Sequence, residues 1–308
     1  MAVIGIDFGG TNFRIGTVAE SGKVTAFRKC PVKDVFVTAD PIRDLEEYLR
    51  GYLYVPEVKR IKKEAVSIGF PATLDRKRET VLQAPNMPFM ENLPVAAALR
   101  EKLGMPVFLE RDVTMILQYD MEKYRIPAEG IVCGIYFGTG IGNAICINGV
   151  PLAGRHGTAG ELGHIPVDSS NERCGCGNTG CMESLAGGKH LMKLCREVYP
   201  ETCIDSLFTE HGSDPLLVKY IDRMAAAVAT ELNILDPDYL LLGGGVLNMA
   251  NFPREQLLNQ IKKHARKPYP AKDLPIIFTK DEENKGVIGA SRYARAKLED
   301  VSAGISLC

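Results

Sequence analysis

The pattern Gly-Ile-x-Phe-Gly occurs twice in this chain, at Gly5-Ile6-Asp7-Phe8-Gly9 and at Gly134-Ile135-Tyr136-Phe137-Gly138. Each copy closes an apolar run and opens a glycine–threonine turn, Gly9-Gly10-Thr11 in the first and Gly138-Thr139-Gly140 in the second. A second apolar run returns after each turn, at 13–18 and at 143–147. Short apolar runs joined by glycine turns fold as strand hairpins. Two hairpins this far apart do not make a solenoid, whose repeats are roughly 20–50 residues long. They point instead to an old duplication and two related lobes, and 308 residues are long for a single core.

Between the hairpins the sequence predicts a helix over 41–52, a strand over 65–70, a helix over 93–103 and a strand over 106–110. A further helix opens at Asp112. Later, 216–235 reads as a long helix ended by Asp236-Pro237-Asp238, and 239–242 as a buried strand running into Gly243-Gly244-Gly245. The segment 286–297 has a helical pattern. Alternating strands and helices set an α/β class. The first lobe is expected to hold residues 1–113, with the tail from about 290 to 308 crossing back onto it, and the second 114–289.

Apolar residues make up 45% of the chain and charged ones 24%, the balance of a soluble globular protein. Lys plus Arg (37) and Asp plus Glu (38) nearly cancel, and no dense basic run exists, so no nucleic-acid partner is expected. The charge cluster at 59–64 is expected to line a solvated helix face. The opening residues lack the basic and apolar pattern of a leader, which points to a cytoplasmic location. Residues 130–154 carry no charged side chain and could span a bilayer by length. Glycines at 130, 134, 138, 140, 142 and 149 interrupt that stretch, so two buried strands are expected there and no membrane partner.

Nine cysteines without an export signal argue against a disulfide framework. Cys30, Cys133, Cys146, Cys195, Cys203 and Cys308 are scattered and read as ordinary small core or surface residues. The other three lie in Cys174-Gly175-Cys176-Gly177-Asn178-Thr179-Gly180-Cys181, after His164. One imidazole and three thiolates make a closed tetrahedral set of the kind Zn²⁺ uses for structure. A redox cysteine pair and chance clustering are the other readings. A closed site has no place for a catalytic water, so its role would be to fix the flanking Glu161 and Glu183.

Glycines expose backbone N–H groups to phosphate oxygens. Asp7 beside Gly9-Gly10-Thr11 combines such donors with a carboxylate suited to a hydrated Mg²⁺. Gly138-Thr139-Gly140 offers a second cradle and Gly243-Gly244-Gly245 a third close approach. Tight hairpins alone would explain each turn; their number favours phosphate binding. Asp112 stands where a helix N-cap belongs, and also where a general base could meet a hydroxyl, and one residue can serve both roles. Glu161, Glu183 and Asn86 supply the carboxylates and amide that a polyol pocket needs.

Asp7-x-Gly9-Gly10-Thr11, Ala159-Gly160-Glu161-x-Gly163-His164 and Cys174-x-Cys176-Gly177-x-x-Gly180-Cys181-x-Glu183 resemble the ROK family of repressors, open reading frames and sugar kinases, over 4–290. The resemblance implies a two-lobed actin-like ATPase (ribonuclease H-like) fold with a cleft between lobes, and ATP–Mg²⁺ as phosphoryl donor. It implies Asp112 as base and Asn86, Arg111, Asp112, Glu161, His164 and Glu183 around a hexose. Asp7, Gly9, Gly10, Thr11, Asn12 and the two later glycine turns would hold the nucleotide. His164, Cys174, Cys176 and Cys181 would hold zinc, with the second ring nitrogen of His164 facing the sugar. A homodimer is implied as well. Glucokinases of the family place Asn where this chain has Arg111, and Pro-Gly where it has Pro71-Ala72. Both departures resemble the D-allose kinase branch, in which a longer cationic donor would reach the axial 3-hydroxyl. Glucose, fructose, mannose and N-acetylmannosamine are the other candidate substrates. The family's repressors carry a helix-turn-helix domain before the hairpin, for which a hairpin starting at residue 2 leaves no room, so a regulator is not expected.

Overall fold

The first helix of the chain shows how local sequence sets its elements. Asp40 accepts a hydrogen bond from Arg43 N (3.1 Å) and Pro41 takes the first helical position, where its missing N–H costs nothing. Leu45, Leu49 and Tyr52 then fall on one buried face. A computed structural model describes residues 1–167 and 172–302. Cys308, read from sequence as an ordinary residue, lies outside them. The chain divides into two compact units, one of Met1–Arg125, Ala153–Ala159 and the chain from Glu282 on, the other of Ile126–Leu152 and Gly160–Asp281.

The first unit opens with strands β1 (Ala2–Phe8), β2 (Asn12–Ala19) and β3 (Val24–Pro31), then helices α1 (Pro41–Leu53) and α2 (Pro56–Lys59). Strands β4 (Lys63–Phe70), β5 (Thr73–Leu74) and β6 (Val81–Gln83) follow, then α3 (Val95–Leu103), β7 (Val107–Arg111) and α4 (Asp112–Lys123). Its main sheet has the order β3-β2-β1-β4-β7, with β1, β4 and β7 parallel. Every residue of β1 is buried, as expected of a strand covered on both faces. Register places Asp7 beside Gly69, Gly69 beside Glu110 and Phe70 beside Arg111. The carboxyl ends of three parallel strands therefore gather Asp7, Arg111 and Asp112 along one edge.

The second unit repeats the plan. It contains β8 (Ile131–Phe137), β9 (Ile141–Ile147), β10 (Val150–Pro151), α5 (Glu183–Ala186), α6 (Gly188–Val198) and α7 (Leu207–His211). Then come α8 (Pro215–Leu235), β11 (Tyr239–Gly243), α9 (Arg254–His264) and β12 (Ile276–Phe278). The sheet order β10-β9-β8-β11-β12 mirrors the first, again with an antiparallel hairpin joined to parallel strands. Helix α8 starts at the capping Asp214 and Pro215 and stops where Asp236 turns left-handed (φ 44°) before Pro237. Its Ile221, Met224 and Val228 join Cys133, Ile135 and Phe137 of β8 in one core.

The last helix, α10 (Lys285–Ser302), returns to the first unit and packs on α4 and β1. That packing explains why the unit extends through α4, past the boundary expected at 113, and begins its return before 290. One expectation is corrected. The charged stretch 59–64 lines no helix face: it runs from the end of α2 into β4, and Lys63 Nζ donates back to Val58 O (2.6 Å). Strands β3 and β12 and helices α6 and α9 have no counterpart in the sequence reading. Cys133, Cys146 and Cys195 are buried and Cys203 is exposed, as small scattered cysteines should be. Among the described residues no helix is long and apolar enough to cross a membrane.

Candidate active site

In the first unit the β1–β2 turn is closed by Gly9 N donating to Asn12 O (2.8 Å), with Gly10 and Thr11 left exposed. Asp7, just before the turn, is buried and accepts from Arg14 Nη1 (3.0 Å). The start of α10 abuts the same carboxylate: a Cβ built on Gly286 would lie 2.5 Å from Asp7 Cγ. Only glycine allows that approach, and it brings the positive end of a helix dipole to an anion. Asn86 faces the turn, its Nδ2 3.7 Å from where a Cβ of Gly10 would stand. Its loop is tied by Glu91 Oε1 accepting from Ala84 N (2.8 Å). Gly10, Thr11, Lys33, Phe36, Asn86 and Phe89 are among the residues lining a cleft of about 470 Å³.

Asp112 is the first residue of α4, and the N-cap position belongs to Arg111, which has extended backbone (ψ 136°). The expected capping role is thus shifted by one position. Asp112 Oδ1 accepts from Val113 N (2.7 Å), which orients a half-buried carboxylate at the positive end of the helix. Two strand spacings, about 10 Å, separate β1 from β7 and hence the Asp7 edge from the Asp112 edge.

Arg111 is 7% exposed, and its Nη1 donates to Ala159 O at 2.6 Å. Beside it Glu110 forms a two-pronged ion pair with Arg78, Nε to Oε2 and Nη2 to Oε1 both at 3.1 Å. Glu110 Oε1 also accepts from Arg111 N (2.8 Å), and its charge is felt by the buried Tyr293 phenol. Burial first, and that carboxylate next, push the Tyr293 phenol above its ordinary range. Arg78 Nη1 reaches Gly157 O (3.1 Å).

In the second unit Glu183 Oε2 accepts from Ile141 N (2.9 Å), directly under the β8–β9 turn. A Cβ at Gly140 would displace that carboxylate, so the glycine leaves room for Glu183 beneath the turn. Gly188 N donates to Gly138 O (2.9 Å) and Lys189 N to Thr139 O (2.8 Å), seating α6 on the same turn. Gly244, with φ 96°, packs against Phe137 at the end of β8. The pairing of Gly243 with Tyr136 brings the second and third glycine turns side by side.

His164, Cys174, Cys176 and Cys181 present ligand atoms that all lie within 4.8 Å of one another. His164 Nδ1 is 3.4 Å from Cys174 Sγ, and Cys176 Sγ is 3.7 Å from Cys181 Sγ. Sulfurs on a tetrahedral zinc with Zn–S of ~2.3 Å stand roughly 3.8 Å apart, so the donor set fits that ion. Burial, with Cys176 and Cys174 adding to it, pushes the Cys181 thiol up to about 12, and burial raises Cys174 as well. Thiols crowded this way are proton-bound unless a cation joins them. The other imidazole nitrogen, Nε2, faces Glu161 Oε2 at 3.7 Å.

The model of the ROK family matches residues 3–297. The chain belongs to the ROK family. Among its ROK relatives, a glucokinase of Thermotoga maritima is 28% identical, covering 97% of this chain and 98% of the relative. A ROK glucokinase of Streptomyces griseus, solved with glucose and AMPPNP, has 26% identity and a TM-score of 0.76, covering 96% of this chain and all of that one. A ROK transcriptional regulator, a homologue of the E. coli MLC protein, superposes with a TM-score of 0.79 at 23% identity, covering 96% of this chain and 78% of that one. The fold is the two-sheet, actin-like ATPase type seen in ROK structures.

Some of the expected residues are neighbours within a unit: Gly10 and Asn86 in the first, and in the second Glu161 with His164, His164 with the three cysteines, and Glu183 with Gly140. Arg78, Glu110 and the carbonyls of Gly157 and Ala159 were not singled out from sequence. Arg78 stands 32 residues from Glu110 and Ala159 is 48 from Arg111, and no local pattern marks either contact. In the second unit Asn143 Nδ2 donates to buried Glu231 Oε1 (3.0 Å), a pairing equally silent in sequence.

Proposed function

We propose that this chain is an ATP-dependent hexose kinase acting on the 6-hydroxyl of its sugar. The observation that carries the reading is the seating of the Asn86 amide against Gly10 of the first glycine turn, in a ROK chain whose edge also holds Asp112. A sugar-facing donor then stands next to a phosphate-facing turn, which is what phosphoryl transfer needs. Asp112, oriented by Val113 N, takes the proton of the 6-hydroxyl. The freed oxygen attacks the γ-phosphorus, the bond to the β,γ-bridging oxygen breaks, and ADP leaves. Backbone donors of Gly9, Gly10, Thr11 and Asn12, with the turns at Gly138–Gly140 and Gly243–Gly245, cradle the nucleotide. Asp7 would orient the Mg²⁺ that neutralises the phosphates. Asn86, Arg111, Glu161, His164 and Glu183 position the sugar hydroxyls, and His164, Cys174, Cys176 and Cys181 would hold a zinc ion that ties the loop presenting them.

The finer reading is a preference for D-allose, supported by Arg111 and by Pro71-Ala72 where the family's glucokinases differ. ADP release would be followed with ATP–Mg²⁺ against allose, glucose, fructose, mannose and N-acetylmannosamine. The highest kcat/KM for allose is expected. Preference for another hexose keeps the kinase and ends the allose assignment. Folded protein that releases no ADP with any sugar overturns the kinase reading in favour of a sugar-responsive regulator.

A further inference from the structure

Residues 153–159 are bracketed in sequence by the second unit yet cluster with the first. They form a strap, closed on itself by Ala159 N donating to Ala153 O (3.1 Å). Two carbonyls of the strap are held by cations of the first unit: Gly157 O by the partly buried Arg78 (3.1 Å) and Ala159 O by the buried Arg111 (2.6 Å). Both arginines are organised by one residue, Glu110, through the two-pronged pair with Arg78 and the accepted bond from Arg111 N. The glycine at 157 lets the strap lie down: a Cβ there would meet Arg78 Nη1 at 2.7 Å and Leu74 O at 2.6 Å. Immediately after Ala159 the chain continues as Gly160-Glu161, and Glu161 is the residue whose carboxylate faces His164.

We infer that Arg78, Glu110 and Arg111 form a latch that sets where the chain enters Gly160–Glu161, making all three positioning residues for the acceptor sugar. The chemistry favours this over a simple packing role. Main-chain carbonyls bound by guanidinium groups are charge-assisted contacts, and both strap contacts are of this kind. Arg111 then acts on the sugar through the strap, because its contact at Ala159 lies two residues before Glu161. The part of the inference that concerns the sugar rests on the kinase reading; the latch itself does not.

The test uses full-length protein and two variants. Arg111→Met removes the donor to Ala159, and Arg78→Met with Glu110→Gln removes the pair without leaving a buried charge. Arg111→Lys is the conservative rescue. Backbone hydrogen exchange read over 153–161 should speed up about tenfold or more in both variants and recover partly in Arg111→Lys, while α1 stays protected. In turnover assays the sugar KM should rise about tenfold, the loss of one charge-assisted bond, with the ATP KM within about twofold. Unchanged exchange over the strap in either variant overturns the latch. Equal shifts in both KM values, or faster exchange throughout the first unit, reduce the three residues to general stabilisers and overturn the inference. If wild-type protein turns over no sugar, the kinase reading fails and the exchange measurement still decides the latch.

Discussion

The two Gly-Ile-x-Phe-Gly hairpins share a backbone and differ in what surrounds the turn. In the first, position x is Asp7, paired with Arg14 and met by the start of α10, and Gly10 has ordinary contact distance to its neighbour Asn86. In the second, position x is the buried Tyr136, and the turn is filled from below by the Glu183 carboxylate and capped by α6. One turn keeps a carboxylate beside exposed backbone donors; the other is packed and helps place an acid. A duplicated scaffold therefore specifies geometry, while the single residue at x and the helix that docks nearby specify chemistry.

The largest expected effect separates the two halves of this contrast. Asp112→Asn should lower kcat by ~10²–10⁴-fold with sugar affinity intact; retention of more than a tenth of wild-type turnover removes Asp112 from the base role. Next, Asp7→Asn should cost roughly 10²-fold in kcat, whereas Tyr136→Phe at the matching position should stay within about threefold. Similar losses in both would erase the distinction between the hairpins.

Chelation of the purified protein, or Cys176→Ser, should release one zinc per chain and lower the Tm by roughly 5–10 °C. Metal analysis showing no zinc in fresh protein would end the structural-zinc reading. Gly140→Ala should destabilise by about 1–2 kcal/mol because its Cβ displaces Glu183, while Gly10→Ala should change stability by less than about 0.5 kcal/mol. Denaturant midpoints compare the two directly, and equal values would mean the second turn is not packed as described.

The smallest effect concerns pH. Burial raises the Glu231 carboxyl above its ordinary value, against the pull of Asn143 and Cys133. The folded chain then keeps a proton that the unfolded chain releases near pH 4.3, so Glu231 disfavours folding increasingly as pH rises from there through the raised folded value. Glu231→Gln should flatten that fall, and Tm measured from pH 4 to 8 would show it as a shallower slope.

Much of this was present in local patterns. The hairpins, the end of α8 at Asp236-Pro237, and the His/Cys quartet follow from spacing, turn chemistry and donor type, all of which act within a few residues. Strand β3 was missed because none of its residues is buried and Thr25, Arg28 and Lys29 break up its apolar ones, so neither period stands out. Helix α9 was missed because it buries only Leu257 and Ile261.

By itself the sequence determined the duplicated α/β plan, the glycine turns and the set of His and Cys donors that could hold a metal, because backbone sterics and donor type need no distant partner. Only the tertiary structure decided that Asn86 stands against Gly10, that Glu183 supports the second turn, and that Arg111 grips Ala159. Those contacts join residues tens of positions apart, and what selects them is the closing of the sheets and the need to pair buried charge.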